Sequence, residues 1–224
     1  MQLIFVMDLI PKSNTSYKDV NYWNERYAIE ETYDWFKSYD SFKHLIKENV
    51  SLEDNILMLG CGNSNLSEQM YGDGYHNIVN IDYSDIVIGN MSKKYADLKK
   101  MSWEVMDMRD MSFPDESFDV IFEKGTLDAM LVEDSPWHIS EENAQLIDTI
   151  LTQVSRILTR NGRFISVTFT QPHFRLPMYV KEKYEWDVEQ LTFGDCVQYF
   201  FYICTKGKPL KPSMLERYSK KPKS

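Results

Sequence analysis

The chain has 224 residues, 43% of them hydrophobic, with 25 Lys+Arg against 34 Asp+Glu for a net charge of −9. That length suits one domain with appendages, and nine Gly with eight Pro exclude a low-complexity or fibrous protein. Three cysteines (Cys61, Cys196, Cys204) without C-x-x-C spacing, and four scattered His, predict neither a disulfide framework nor a metal site.

The N-terminal MQLIFVMDLIPK has no basic leader region, Asp8 interrupts its apolar run, and no small-residue cleavage site follows. It does not read as a signal peptide, although Met7 is an alternative start. No apolar run approaches the ~18 residues of a membrane span, so a cytoplasmic chain without membrane contact is expected. Residues 19–48 place Tyr22, Trp23 and Tyr27, then Phe42, Leu45 and Ile46, at helical spacing, with a link near 30–37. The run NILMLGCG (55–62) reads as a buried parallel strand entering a turn. Asn63-Ser64 then caps a helix over 64–72. Strands are expected over 77–82, 103–107 and 118–123, with a helix opened by Ser84 and running to about 97. Ser140, followed by Glu141 and Glu142, opens a helix with apolar positions 147, 150, 151, 154, 157 and 158. Asn161-Gly162 closes that helix before a strand over 163–169. Strands over 184–191 and 197–204, around Gly194-Asp195, form an antiparallel hairpin at the sheet edge.

This alternation predicts an α/β fold: a doubly wound, mostly parallel, seven-stranded Rossmann-like sheet with a C-terminal antiparallel hairpin. The chain divides into an N-terminal extension (1–18), one domain (19–207) and a basic, flexible tail (208–224). Residues 205–224 hold seven Lys or Arg and one Glu, so the other 204 residues carry −15. An acidic body disfavours nucleic acid and favours a cationic ligand or a basic protein partner. No dimer face is marked, which leaves a monomer as the default.

Ligands of such sheets lie beyond the carboxyl ends of the strands. Those ends carry Gly60-Cys61-Gly62, Asp82-Tyr83, Asp107-Met108 and Glu123-Lys124-Gly125-Thr126. Glycines admit close backbone approach, an acid about 20 residues on grips ribose hydroxyls, and Asp107 can accept from an adenine amino group. Asn65 stands where a dinucleotide fingerprint has its third glycine, and there is no phosphate-binding G-x-x-x-x-G-K-[ST]. The glycine turn has no Lys or Arg. A phosphate-free adenosyl cation fits best, which points to S-adenosylmethionine.

The segments LGCGNSNLSEQMYGDGY (59–75), NIDYSDIVI (80–88), FDVIFEKGTLDAM (118–130) and GRFISVTFTQPHF (162–174) resemble the seven-β-strand methyltransferases. Within them the chain is similar to the elongation factor 1-alpha lysine methyltransferase group, and PHF favours its endothelin-converting-enzyme-linked type. The resemblance spans about Tyr22 to Gly207. It implies cofactor contacts at Trp23, Tyr27, Trp35, Gly60, Asp82, Tyr83, Asp107, Met108 and Lys124. It also implies that Glu123, Lys124, Gly125, Thr126, Leu127 and Asp128 are needed for activity. The link between Tyr27 and Trp35 is short for the family. The function implied is methyl transfer from S-adenosylmethionine to a lysine of elongation factor 1-alpha.

A free lysine with pKa about 10.4 must shed a proton at a cost of ~4 kcal/mol near neutral pH. Either Glu123 or Asp128 could orient the amine. Bland readings stand beside these. Trp23, Tyr27 and Trp35 equally serve as core, His173 reads as a hydrogen-bonded structural residue, and Cys61 as a small residue in a tight turn. A small-molecule methyltransferase or a non-catalytic S-adenosylmethionine-binding scaffold are the alternatives. Adenine-N6 methylation is disfavoured, because no N-P-P-Y motif follows the fourth strand.

Overall fold

The computed structural model describes residues 9–132 and 139–218. The N-terminal residues up to 8, including Met7, lie outside that description, as does the end of the basic tail from 219. In chain order the elements are α1 (Val20–Tyr27), α2 (Lys43–Asn49), β1 (Ile56–Leu59), α3 (Leu66–Gly72), β2 (Ile78–Asp82) and α4 (Asp85–Lys94). They continue with β3 (Met101–Val105), β4 (Phe118–Lys124), α5 (Thr126–Met130), α6 (Glu141–Ile157), β5 (Leu158–Thr168), α7 (Pro172–Tyr179), β6 (Trp186–Phe193), β7 (Tyr199–Lys206) and α8 (Pro212–Tyr218).

One seven-stranded sheet runs β3-β2-β1-β4-β5-β7-β6. The β3, β2, β1, β4 and β5 neighbours pair in parallel, and β7 lies antiparallel between β5 and β6. The order reverses beside β1, where β2 lies on one side and β4 on the other. A ligand crevice opens at such a point.

The central strand β1 is apolar and buried on both faces because helices cover both. In β1, Leu57 and Leu59 join the core under α6 and α7, whereas Ile56 and Met58 join the core under α2 and α3. The α6 pattern buries Ile147, Ile150, Leu151, Val154 and Ile157, and Ser140 caps it by accepting from Asn143 N at 3.2 Å.

The structure differs locally from these expectations. The long helix ends at Ile157, not at Asn161-Gly162, because Leu158 already pairs with Phe118 of β4. Asn161 sits at φ 69° in the irregularity that follows, before pairing resumes at Arg163. The third strand is 101–105, so Asp107 and Met108 stand in the turn beyond it. Asn63 does not cap α3. Its side-chain amide donates to the Glu30 carbonyl at 2.9 Å, while Ser64 Oγ accepts from Leu66 N at 3.1 Å. Residues 172–179 form a helix, started by Pro172 at its first turn. Within the basic tail, α8 forms a helix, and Met214, Leu215 and Tyr218 pack on the core beside Leu210.

Among the described residues, no helix is long and apolar enough to cross a membrane. Nor do three or more His, Cys, Asp or Glu gather as metal ligands among them.

Candidate active site

The turn after β1 is shaped by contacts with protein. Gly60 has φ 57°, and a Cβ there would stand 2.4 Å from Thr126 Cγ2. Thr126 Oγ1 donates back to the Leu59 carbonyl at 3.1 Å, which ties the start of α5 to the end of β1. Gly62, at φ 51°, has the Tyr27 hydroxyl 3.0 Å from where its Cβ would be. Only glycine accepts both the left-handed backbone and these neighbours.

Asp82 ends β2 beneath that turn. Its Oδ2 accepts from Gly62 N and its Oδ1 from Ser84 N, each at 3.0 Å. Burial pushes its pKa up to about 6, against the pull of those backbone donors. Each oxygen retains a further acceptor site. Asp107 lies at the β3 end and makes a forked pair with Arg109, at 2.9 and 2.8 Å to Nε. Burial raises its pKa, but the Arg109 bonds outweigh it and hold the carboxyl below its ordinary value. Met108 is buried, and Tyr83 is 38% exposed.

An aromatic lid comes from the N-terminal segment. Trp23 and Tyr27 stack at 5.5 Å, and Trp35 packs edge-on to Tyr17, Trp23 and Tyr33. The Arg26 guanidinium lies 5.2 Å from the Trp35 ring and 4.8 Å from Tyr33, and it pairs with Glu30 at 2.9 Å. Asn63 grips Glu30, Asn90 donates to the Tyr27 carbonyl at 3.0 Å, and Ser84 Oγ bonds Asn24. The lid is therefore pinned to the glycine turn and to α4.

The EKGTLD segment divides by function. Lys124 Nζ donates to the Trp35 carbonyl at 2.8 Å and to Asp34 at 3.3 Å, so its ammonium clasps the lid. Burial lowers its pKa, with Asp34 opposing. Gly125, at φ 79°, would put a Cβ 3.1 Å from the Phe36 ring. Phe36 itself has φ 66°, an uncommon conformation for a bulky residue. Its ring meets Phe169 edge-on at 5.3 Å.

Glu123 is 1% exposed and accepts from Thr126 N, Leu127 N and Ser166 Oγ. Burial, then the Asp128 charge, raises its pKa. Asp128 instead uses one oxygen, Oδ1, to accept from Thr168, Thr170 and Arg175 at 2.7, 2.8 and 2.7 Å.

These elements enclose a cavity of about 820 Å³. Its wall includes Trp23, Tyr27, Trp35, Gly60, Asp82, Tyr83, Asp107, Met108 and Lys124, and also Gly125, Thr126 and Asp128. Glu123 and Leu127 lie behind it. Glu123 caps α5 from within the protein, and Leu127 is a core residue. Between the two carboxylates left open from the sequence, only Asp128 reaches the cavity. Sequence reasoning missed Tyr17, Tyr33, Phe36, Asp34 and Arg175. The signal available was the density of aromatics at 17–36, which spacing alone did not assign to a common wall.

Residues 51–211 match the family described as methyltransferase domain. The chain belongs to that family. This methyltransferase is 42% identical to the mouse protein named EEF1A lysine methyltransferase 4, over 92% of its own length and 82% of the relative's. It is 37% identical to the human eEF1A lysine and N-terminal methyltransferase, over 75% of its own length but 24% of that longer protein. In fold it is similar to the N-methyltransferase NodS of Bradyrhizobium japonicum, solved with S-adenosyl-L-homocysteine. That match has a TM-score of 0.59 at 15% identity and covers 88% of this chain and all of NodS.

Proposed function

We propose that this methyltransferase moves the methyl group of S-adenosylmethionine to a lysine of elongation factor 1-alpha, in the cytoplasm. The observation that carries the reading is the 42% identity to a protein named for that activity, over 92% of this chain.

The residues present fit the cofactor. The glycine turn, from Gly60 to Gly62, brings no Lys or Arg, and the Lys124 ammonium on the cavity wall is engaged by Asp34 and the Trp35 carbonyl. Asp82 has free acceptor capacity for two ribose hydroxyls, and Met106 and Met108 offer apolar surface to a purine. Trp23, Tyr27 and Trp35 offer π faces to a cation. When bound, S-adenosylmethionine supplies an electrophilic methyl on a sulfonium.

The chain's own residues supply the rest. The lid and the EKGTLD segment exclude water, which raises the nucleophilicity of a neutral amine and disfavours its ammonium form. Phe36, Phe169 and Phe174 line the cavity and offer an apolar passage for the four-carbon stem of a lysine. Asp128 is on the cavity wall, and its buried Oδ2, without a partner among the described residues, is the acceptor assigned to the amine N–H. Positioning by these groups turns the transfer into an in-line, effectively unimolecular step.

The test is transfer of labelled methyl into purified elongation factor 1-alpha, run beside an Asp82→Ala control and a metabolite mixture. Label on a lysine of the factor, lost in the control, supports the reading. Label only in metabolites replaces it with a small-molecule enzyme. No label anywhere, with S-adenosylmethionine still bound in calorimetry, replaces it with a scaffold.

A further inference from the structure

Arg175 is fully buried in α7, yet it forms part of the cavity wall. Its Nη2 donates to Asp128 Oδ1 at 2.7 Å and lies 3.3 and 3.4 Å from the Thr168 and Thr170 hydroxyls. Its Nη1 is 4.0 Å from Met178 Sδ, and its Nε has no partner among the described residues. Asp128 is equally one-sided. Oδ1 takes three donors, while Oδ2 is buried without one among the described residues.

As a device for stability alone this arrangement is poor. A buried ion pair contributes little net stability even when every donor is satisfied, and unmatched polar atoms make it worse. It makes sense as a support. Three donors on one oxygen fix the carboxylate plane, and they leave the other oxygen without a partner among the described residues on a side chain of the cavity wall. Thr168 and Thr170 flank Phe169, so the same short stretch that holds Asp128 also presents the ring that meets Phe36. The acidic and aromatic walls are thereby built in a single register.

We propose that Arg175 is a positioning residue for the methyl acceptor: through Oδ1 it holds Asp128 so that Oδ2 accepts an N–H of the neutral amine of an incoming lysine side chain. The inference rests on the lysine-methyltransferase reading above. It assigns Arg175 no contact with the cofactor, which the reading above assigns to Asp82 and the glycine turn.

The experiment compares Arg175→Gln, Arg175→Lys, Asp128→Asn and the double variant R175Q/D128N. Each is measured for methylation of elongation factor 1-alpha, for S-adenosylmethionine affinity by calorimetry and for thermal melting. R175Q is expected to keep cofactor affinity within threefold while kcat/KM for the protein falls at least a hundredfold. R175K, which restores a cation opposite Oδ1, is expected to recover at least tenfold of that loss. The double variant is expected to be no worse than D128N, because both changes remove one device. Thr170→Val keeps the inference testable where R175Q does not fold, with an expected three- to tenfold loss of kcat/KM at unchanged cofactor affinity. A merely structural Arg175 predicts the opposite: cofactor affinity, melting and activity fall together, R175K rescues nothing, and the R175Q and D128N losses multiply. A wild type that labels the factor while R175Q stays within threefold of it overturns the inference alone. A wild type that labels no lysine of the factor overturns the functional reading and this inference with it.

Discussion

Lys124, at the end of β4, donates its ammonium to the backbone carbonyl of Trp35, 2.8 Å away in the N-terminal lid. The side chain is 5% exposed, and Asp34 supplies the counter-charge at 3.3 Å. The lysine of the EKGTLD segment thus fastens the aromatic wall to the sheet.

Replacing it tests the clasp. Lys124→Met keeps the buried stem and removes the donor. A charge-assisted bond of this kind is worth about 1.5–3 kcal/mol. The expected result is roughly a tenfold or greater loss of S-adenosylmethionine affinity in calorimetry, with the sheet intact by circular dichroism. Unchanged affinity would show that the lid closes without Lys124.

Asp82 predicts a pH dependence of binding. Its carboxyl titrates near 6 in the free protein, raised by burial, whereas hydroxyls donating to the ionised form lower its pKa in the complex. The complex then holds fewer protons than the free protein, so affinity rises with pH between about 5 and 7 and levels above. The Asp82→Asn variant is expected to bind weakly and without that slope. Stability of the free chain runs the other way. A carboxyl whose folded pKa lies above its unfolded value of 3.8 contributes stability below that value and loses it as pH rises through 6. Melting curves at pH 4.5 and 7.5, compared between wild type and D82N, check the sign.

Gly60→Ala is expected to destabilise the domain by about 2 kcal/mol or more, since the left-handed backbone alone costs roughly 1–2 kcal/mol for alanine. The added methyl would also stand 2.4 Å from Thr126 Cγ2. Thr126→Ala removes that atom, so the double variant should be less destabilised than the sum of the single ones. Urea unfolding of the four proteins measures the coupling. Strict additivity would exclude the contact as the cause.

Phe36→Gly relieves the φ 66° backbone and deletes the ring that meets Phe169. Cofactor affinity is expected to stay within threefold, while kcat/KM for the protein acceptor falls at least tenfold. Equal losses of both would place Phe36 on the cofactor side.

The strand ends were legible because each carries local chemistry: two glycines after ILML, acids closing β2 and following β3, and EKGT closing β4. The lid was legible as helices, and only in outline as a wall. Tyr17, Tyr33 and Phe36 lie far from the glycine turn in sequence, and their convergence depends on bonds such as Asn63 to Glu30. The helix α7 escaped a spacing argument because Pro172 and Pro177 both fall within its eight residues, and proline in a helix interior ordinarily breaks it.

The α/β alternation, the place of the ligand crevice and the lack of a phosphate-binding glycine motif can be read directly from the sequence, since they follow from periodicity and from residue types a few positions apart. Which of Glu123 and Asp128 reaches the cavity depends on long-range packing. The two carboxylates are five positions apart on one segment, yet the first turns inward to cap α5 while the second meets Thr168, Thr170 and Arg175 at the cavity wall. That difference is set by partners 40 to 47 residues away along the chain, on β5, α7 and the link between them, and no local pattern encodes which side of the wall a carboxylate will face.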